Sequence, residues 1–239
     1  MSLNQTTSQK LHIRLSSLIT SLQAGEKLPS EPDLARQLGV SRATLREAMR
    51  TFETQGLIHR RQGSGTYVAR PSQVIESGLE VLESIETLAK RINLPVALGE
   101  MHSEERVASP EEAAILGLEP GIALMQVTRV ILAEGQPAAY LIDILPNNVL
   151  DLNDLQQGFT GSVLDLLLRL NTLHLASSRC EINAVTASSE VARALGIQKG
   201  DVLLRFIAYL YTATGQVVDY SFSYFLPGYF NFHVVRRVG

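Results

Sequence analysis

The 239-residue sequence contains no tryptophan and a single cysteine, Cys180. One cysteine excludes an intramolecular disulfide and a cysteine metal cluster, so we expect Cys180 to fill space in the core of a strand. No run of 18 apolar residues is present and three of the first five residues are polar, which argues against a membrane helix and a signal peptide. These absences predict a cytoplasmic protein that does not bind a membrane.

Histidine is also scarce, with five residues in the chain. Neither His174 nor His233 has a second histidine or a cysteine at metal-ligand spacing, so we expect no zinc site. No Ser/His/Asp arrangement and no phosphate-binding loop is evident either. We therefore expect neither catalysis nor a cofactor.

Charge divides the chain into two parts. Residues 1–70 hold 10 Lys plus Arg against 5 Asp plus Glu, a net charge of +5, whereas the remainder holds 11 against 19, a net of −8. The acidic part is too apolar for disorder, so it should fold as a second domain. We predict domains over 1–70 and 71–239, with a linker between them at 70–73.

Two short helices joined by a tight turn are predicted in the basic part. Ser30 precedes an acidic first turn and can cap a helix that begins near Glu31. Gly39 can take the left-handed conformation that ends this helix, and a second helix is predicted over 41–55. Helices separated by so short a turn must cross steeply, as in a helix-turn-helix unit.

The second of these helices carries arginines at every fourth position. Arg42, Arg46 and Arg50 form one stripe, opposite an apolar stripe that can pack. Such a stripe is often only a solvated helix face, but an arginine fork also fits the major-groove edge of guanine. Two short strand-like runs with a glycine-rich tip follow over 58–68, which is typical of a hairpin wing that contacts DNA. The ordered combination favours double-stranded DNA as a partner, with Arg50, Arg60 and Gln62 among the expected contacts.

The segments Leu28-Pro29-Ser30-Glu31, Val40-Ser41-Arg42-Ala43-Thr44-Leu45-Arg46 and Gly63-Ser64-Gly65-Thr66 closely resemble the winged helix-turn-helix domain of GntR-type bacterial transcription regulators. The resemblance covers about residues 8–70. It implies operator contacts by Ser41, Arg42, Thr44, Arg46 and Gly63. Many relatives carry arginine where this chain has Pro32, so the base contact of that position is not implied here.

An internal repeat fills most of the acidic part. Ser109 to Gly121 matches Ser188 to Gly200 at an offset of 79, and both copies continue with a strand, a Gly-Gln turn and a second strand. Each copy therefore predicts a capped short helix followed by a hairpin. With further strands at 96–108 and 174–187, the pattern predicts one antiparallel sheet with helices on a face and an α+β fold. Helical spacing over 74–93 predicts one or two amphipathic helices before it, with Gly78 as a break.

The second domain resembles the UTRA effector-binding domain of the HutC subfamily, which is similar in fold to chorismate lyase. The likeness lies in Arg129-Val130 before Gly135-Gln136-Pro137, in Gly161-Ser162 with Asp165-Leu166-Leu167, and in Gly215-Gln216 with Asp219-Tyr220-Ser221. Relatives that sense amino-sugar phosphates tend to carry charged residues where this chain has Ile131, Leu141 and Leu226. Since sugar hydroxyls and phosphates need polar partners, we predict a small-molecule effector less polar than a sugar phosphate.

Seven residues are candidates to line the effector pocket. They are Arg129, Tyr140, Asp143, Ser162, Asp219, Tyr220 and Phe225. For each one an ordinary structural role is an equally good interpretation, and Arg129 with Asp219 can form an internal ion pair. The sheet and its helices can enclose a cavity for such a ligand.

We therefore predict an effector-responsive transcription regulator, a repressor rather than an activator, that binds a palindromic operator as a homodimer. One alternative is a chorismate-lyase-like enzyme fused to a DNA-binding domain, although fold alone is a weak argument for catalysis. Another is a DNA-binding protein that needs no effector, which leaves the large acidic domain without a role.

Overall fold

The computed structural model describes residues 7–23, 25–54, 56–61, 63–68 and 74–238. Its N-terminal part consists of three helices and a two-stranded hairpin. These elements are α1 (Thr7–Ser21), α2 (Glu31–Leu38), α3 (Arg42–Thr54), β1 (Ile58–Arg61) and β2 (Gly65–Val68). The predicted helix-turn-helix and wing are thereby confirmed, with one preceding helix that the pattern had not specified.

The caps explain where these helices begin and end. The Ser30 hydroxyl accepts a hydrogen bond from the amide of Asp33, and Gly39 closes α2 with φ of 71° in the left-handed region. Leu15, Leu34, Leu45 and Phe52 pack into one core that joins the three helices to the hairpin. This core holds α3 with its arginine side turned outward.

The prediction of helix throughout 74–93 is wrong in its first part. Ile75–Gly78 forms strand β3, and only Ile85–Arg91 forms a helix, α4, which Ser84 caps. Strand β3 pairs in parallel with β10 (Phe230–His233), which lies 155 residues further along the chain. A partner so distant in sequence overrides local helical spacing.

The acidic part contains one six-stranded antiparallel sheet. The remaining elements are β4 (Val96–Val107), α5 (Pro110–Leu116), β5 (Ala123–Ala133), β6 (Gln136–Pro146), α6 (Leu152–Gly158), α7 (Val163–Leu170), β7 (Leu175–Thr186), α8 (Ser189–Leu195), β8 (Val202–Thr212) and β9 (Val217–Phe225). The strand order is β4-β5-β6-β9-β8-β7, so the two hairpins of the repeat meet at β6 and β9 in the centre. The predicted duplication and α+β fold are confirmed.

The helix of each repeat unit packs on the hairpin of the other unit. Helix α5 of the first unit packs on β9 of the second, and α8 packs on β6 of the first. Equivalent residues end these helices, since Gly117 and Gly196 both adopt the left-handed conformation. Each unit thus covers the other, and neither has a complete core alone.

Cys180 lies in β7, as predicted, but it is exposed rather than part of the core. Strand β7 is the outer strand of the sheet, and its side chains remain largely open to solvent. No helix within the described part of the chain is long and apolar enough to cross a membrane.

Candidate functional site: a DNA-reading helix and a buried charge cluster

The N-terminal half of α3 presents a polar, exposed surface. Ser41, Arg42, Thr44 and Arg46 are all exposed there, and Arg50 extends the same side one turn further. The Ser41 hydroxyl accepts a hydrogen bond from the Thr44 amide at 3.1 Å, which fixes the start of the helix. Side chains at this end of the second helix of such a unit are the ones that reach base edges.

Glu31 holds one of these arginines from the neighbouring helix. Its carboxylate contacts Arg46 Nε at 2.7 Å, although 61% of the Arg46 side chain remains exposed. The same carboxylate lies 3.6 Å from Arg60 Nη2. Because Glu31 begins α2, this contact ties the two helices of the unit together and restricts the orientation of Arg46. Sequence reasoning assigned Glu31 only to the first turn of α2.

The predicted contact residues of the wing differ in their exposure. Gly63 lies at the exposed tip with φ of 73°, a conformation that favours glycine. Arg60 turns away from the tip: Glu53 contacts its Nε at 2.9 Å, and only 21% of its side chain is exposed. A DNA contact by Arg60 would therefore require release from these carboxylates. Gln62 is the other predicted wing contact, and it lies outside the described residues. The predicted linker at 70–73 also lies outside them.

His59 lies half-buried beside the wing rather than free on the surface. Its Nε2 accepts a hydrogen bond from Arg61 Nε at 3.2 Å, while its Nδ1 is buried and has no hydrogen-bond partner in the part of the chain that the structure describes. Burial, and then the positive charge of Arg61, lower the pKa of His59 to about 4. The imidazole is therefore neutral near pH 7.

The second domain contains a charged cluster in the middle of the sheet. Arg129 on β5 and Asp143 on β6 form an ion pair, and both residues are more than nine-tenths buried. Asp143 pairs in register with Ser221, so Asp219, two residues away on β9, projects from the same sheet face. The three charged side chains thus meet where the two repeat units join.

Asp219 is the unusual member of this cluster. Only 7% of Asp219 is exposed, and its Oδ1 has no hydrogen-bond partner among the described residues. Burial, and then the negative charge of Asp143, raise the pKa of Asp219 well above its ordinary value, against the opposing effect of Arg129. The sequence allowed an Arg129–Asp219 ion pair, whereas the structure gives the arginine contact to Asp143.

Further polar groups surround the cluster at the start of α7. Ser162 caps this helix by accepting a hydrogen bond from the Asp165 amide at 3.0 Å. Asp165 in turn accepts a hydrogen bond of 2.7 Å from the Ser84 hydroxyl, which precedes α4. The Phe159 ring lies 5.8 Å from the Arg129 guanidinium carbon, near the limit of a cation–π contact.

Glu86 is the residue of this region that sequence reasoning missed. A Cβ on Gly161 would lie 2.8 Å from Glu86 Oε1, so the carboxylate rests against the glycine backbone. Burial raises the pKa of Glu86, which also senses the charges of Arg129, Asp165 and Asp143. The Gly161-Ser162 pair was a signal for a close approach here, but only the fold identifies what approaches it.

The three aromatic candidates do not join the charged cluster. Tyr140 donates a hydrogen bond to Glu190 at 2.8 Å and packs near Tyr224. Tyr220 stacks with Tyr209 at a ring distance of 5.3 Å. Phe225 lies in an apolar cluster with Ile131 and Leu141. The structure thus gathers Arg129, Asp143, Asp219 and Ser162, and the roles of all seven candidates stay predictions.

The two domains touch through backbone. A Cβ on Gly56 would lie 1.8 Å from the carbonyl oxygen of Pro227, so only glycine fits this contact. Arg61 Nη2 also donates a hydrogen bond of 2.7 Å to Gln136 Oε1. Gln136 begins β6, and Pro227 follows β9. The strands that carry Asp143 and Asp219 therefore lead directly to the surface that holds the DNA-reading unit.

A cavity of about 320 Å³ lies beside this contact. Its walls include Glu53, His59 and Arg60 from one domain and Gln198, Asp201 and Leu226 from the other. Burial raises the pKa of both Glu53 and Asp201, and the charge of Asp201 adds to the effect on Glu53. The carboxylates repel each other across the junction, and Arg60 offsets that repulsion. Within the described residues, no group of three or more His, Cys, Asp or Glu side chains is arranged to hold a metal ion.

Comparison with known proteins covers both domains. The profile of the gntR family of bacterial regulatory proteins matches residues 4–68, and the UTRA domain profile matches residues 101–231. The HTH-type transcriptional repressor NagR of Bacillus subtilis is 31% identical over 221 residues, which cover 91% of this chain and 88% of that protein. The histidine utilization repressor of Pseudomonas putida is 29% identical over 184 residues, covering 74% and 70% of the two chains.

A solved structure shares the whole fold. The crystal structure of PhnF from Mycobacterium smegmatis superposes with a TM-score of 0.64 at 22% identity, covering 96% of this chain and 100% of that one. The family and these relatives are regulators of transcription and not enzymes, so the lyase alternative is rejected. The resemblance inferred from the DNA-reading helix and the duplicated sheet is confirmed: the chain belongs to the GntR family of bacterial regulatory proteins, as a DNA-binding transcription regulator with a HutC-type UTRA domain.

Proposed function

We propose that this protein is a cytoplasmic repressor that binds a palindromic operator as a homodimer and responds to a small-molecule effector. The observation that carries the proposal is the exposed polar end of α3, placed beside a glycine-tipped wing and joined to a domain with a buried charge cluster. Relatives named as repressors support the direction of regulation.

DNA contact is assigned to α3 and to the wing. Arg42 and Arg46 read base edges, because they are exposed at the helix end that enters the major groove. Ser41, Thr44, Arg50, Arg60, Gln62 and Gly63 add contacts to the backbone and the flanking groove. In a two-fold dimer the paired helices enter successive major grooves roughly 34 Å apart.

Effector binding is assigned to the face of the sheet that carries Arg129, Asp143 and Asp219, with Ser162 at its border. The predicted low polarity of the effector is supported by the buried apolar side chains of Ile131 and Leu141, the second of which pairs in register with Arg129.

The coupling between the sites runs along the two central strands. An effector that separates β6 from β9 by a small amount also moves Gln136 and Pro227, and these residues position the DNA-reading unit through Arg61 and Gly56. Only an effector with different affinities for the two arrangements changes the affinity for DNA.

Selection of bound sequences from a random duplex pool tests this function. Purified wild-type protein is used at physiological salt, which suppresses non-specific attraction to phosphates, and an Arg42→Ala/Arg46→Ala variant serves as the control. We expect an enriched inverted repeat for the wild type and none for the control. Enrichment of a single half-site would contradict the dimer, and uniform recovery of all sequences would favour a DNA-binding protein without sequence preference.

A further inference from the structure

The buried cluster contains more carboxyl groups than its one arginine can pair with. Arg129 is the one cation that contacts the cluster among the described residues, and its ion pair is with Asp143. Asp219 and the half-buried Glu86 are additional carboxylates, and the ion pair does not require either of them. A fold that needs only an internal ion pair gains nothing from a second buried aspartate, since burying an unpaired charge is costly.

Two atoms of the cluster have no hydrogen-bond partner among the described residues, and both belong to side chains that are more than nine-tenths buried. They are Asp219 Oδ1, an acceptor, and Arg129 Nε, a donor. Buried polar atoms in native proteins are normally hydrogen-bonded. The cluster is therefore complete only when a further group supplies a donor to Asp219.

Apolar side chains lie on two sides of the cluster on the same sheet face. Val127 pairs in register with Asp143 and belongs to the core beneath α7, while Ile131, Leu141 and Phe225 form a separate buried cluster on the other side of Arg129. By the two-residue period of strands, these side chains project in the same direction as Asp143. The charged groups thus lie between two apolar clusters, on a face that also carries Ser221 and Ser223.

We propose that the effector is an organic cation: an amine or amidine whose N–H groups donate to Asp219, with an apolar body that packs toward Ile131, Leu141 and Phe225. This inference rests on the proposed function, because it names the chemical class of the effector for that same site. The cation supplies the missing donor and balances the excess carboxylate, while the apolar body explains why this chain carries Ile131 and Leu141.

Binding of such a cation has a proton signature. Since burial and then the neighbouring Asp143 carboxylate raise the pKa of Asp219, the free site binds a proton more tightly than an exposed aspartate does. An ammonium group favours the ionised form and expels that proton to solvent. Glu86 and Asp165 face the cluster from α4 and α7, and Glu86 contributes in the same direction because its pKa is also raised.

The test uses full-length protein and matched probes that differ only in charge. The first set is phenethylamine, 2-phenylethanol and phenylacetate, and the second is hexylamine, hexanol and hexanoate. Thermal unfolding is followed with each probe in excess, and calorimetry in two buffers of different ionisation enthalpy measures proton release. We expect an amine to raise the Tm by about 2 to 4 °C, with release of protons, and its alcohol and acid to have no such effect.

Two variants distinguish a binding site from a structural ion cluster. Asp219→Asn removes the surplus carboxylate, and Glu105→Gln, at an exposed strand position, removes the same charge elsewhere. We expect Asp219→Asn to abolish the amine response and to raise the Tm of the ligand-free protein, because folding then no longer buries a second carboxyl group against Asp143. Glu105→Gln should retain the amine response and leave the Tm unchanged.

Several results would overturn the proposal. Stronger stabilisation by the acids, equal responses of the three charge classes, no response to any probe, or a lower ligand-free Tm for Asp219→Asn would each do so. Operator binding by ligand-free wild-type protein is measured in the same preparations. Retained operator binding together with a failed amine response counts against the cationic effector alone, whereas absent operator binding counts against the proposed function.

Discussion

The two domains use arginine in opposite ways. In the N-terminal domain Arg42, Arg46 and Arg50 lie on the exposed side of one helix. In the C-terminal domain Arg129 is 5% exposed and lies in the centre of a sheet. An exposed arginine contributes little to stability, and its guanidinium lies at the surface, where an external partner can reach it. A buried arginine is bound to its own protein, so its removal affects the fold first.

Replacing the buried arginine should give the largest effect. Arg129→Ala leaves Asp143 and Asp219 without a cation, and loss of one partner from a buried ion pair typically costs about 3 to 5 kcal/mol. Denaturant unfolding of the Arg129→Ala and Arg50→Ala variants measures the difference between them. The unfolding free energy of Arg50→Ala should lie within about 0.5 kcal/mol of the wild-type value. Equal losses for the two variants would remove the contrast between the domains.

The exposed arginine should instead act on DNA. Arg46→Ala is expected to weaken operator binding by about 1 to 3 kcal/mol per half-site, because a bidentate contact to guanine is lost. Its unfolding free energy should remain near that of the wild type. A gel-shift titration measures the affinity, and Arg36→Ala is the matched control, since that arginine is exposed on α2 and pairs with Asp33. Unchanged operator affinity for Arg46→Ala would show that α3 does not read bases through this residue.

The border between the domains should respond to pH through His59. Its folded pKa of about 4 is below the ordinary value of 6.5, so the unfolded chain binds the proton more readily. Stability from the neutral imidazole is complete above pH 6.5 and is lost as the pH falls toward 4, at up to about 1.4 kcal/mol per pH unit. Unfolding curves across this range should show the loss in the wild type and less of it in His59→Phe. The exposed His102→Gln control should follow the wild type, and an identical pH profile for His59→Phe would assign the loss to other groups.

The smallest effect is expected at the contact that joins the domains. Gln136→Ala removes the acceptor for Arg61 and should cost about 1 kcal/mol of stability. The operator affinity of this variant should change, and the effector should have no further influence on that affinity. The ratio of operator affinities with and without effector is the measurement. Gln216→Ala is the control, because Gln216 follows Gly215 at the equivalent position of the second repeat. Equal ratios for both variants would exclude this route of coupling.

Much of the DNA-binding domain was predictable because its signals are local. The cap at Ser30, the turn at Gly39 and the spacing of the arginines lie within a few residues of one another. The orientation of Arg60 toward Glu53 and Glu31 was not predictable, because it depends on how the wing packs against two helices. The first part of the helical prediction over 74–93 failed for the same reason, since β3 pairs with a strand near the C-terminus.

In the effector domain the 79-residue offset predicted the duplicated hairpins, and helix caps such as Ser109 and Ser188 recur in both copies. Residue patterns also identified Arg129, Asp143 and Asp219 as candidates, but not which of the two aspartates the arginine contacts. The strand order decides that pairing, because β6 and β9 become neighbours only when the two repeats join.

The sequence by itself determined the elements, their repetition and the separation of basic from acidic charge, since caps, turns and periodicity act over one or two helical turns. Only the tertiary structure decided which charges are buried together, that Glu86 lies against Gly161, and that Gly56 meets Pro227 across the domains. Those contacts join residues tens to more than a hundred positions apart, and their energies depend on burial, which exists only after the chain has folded.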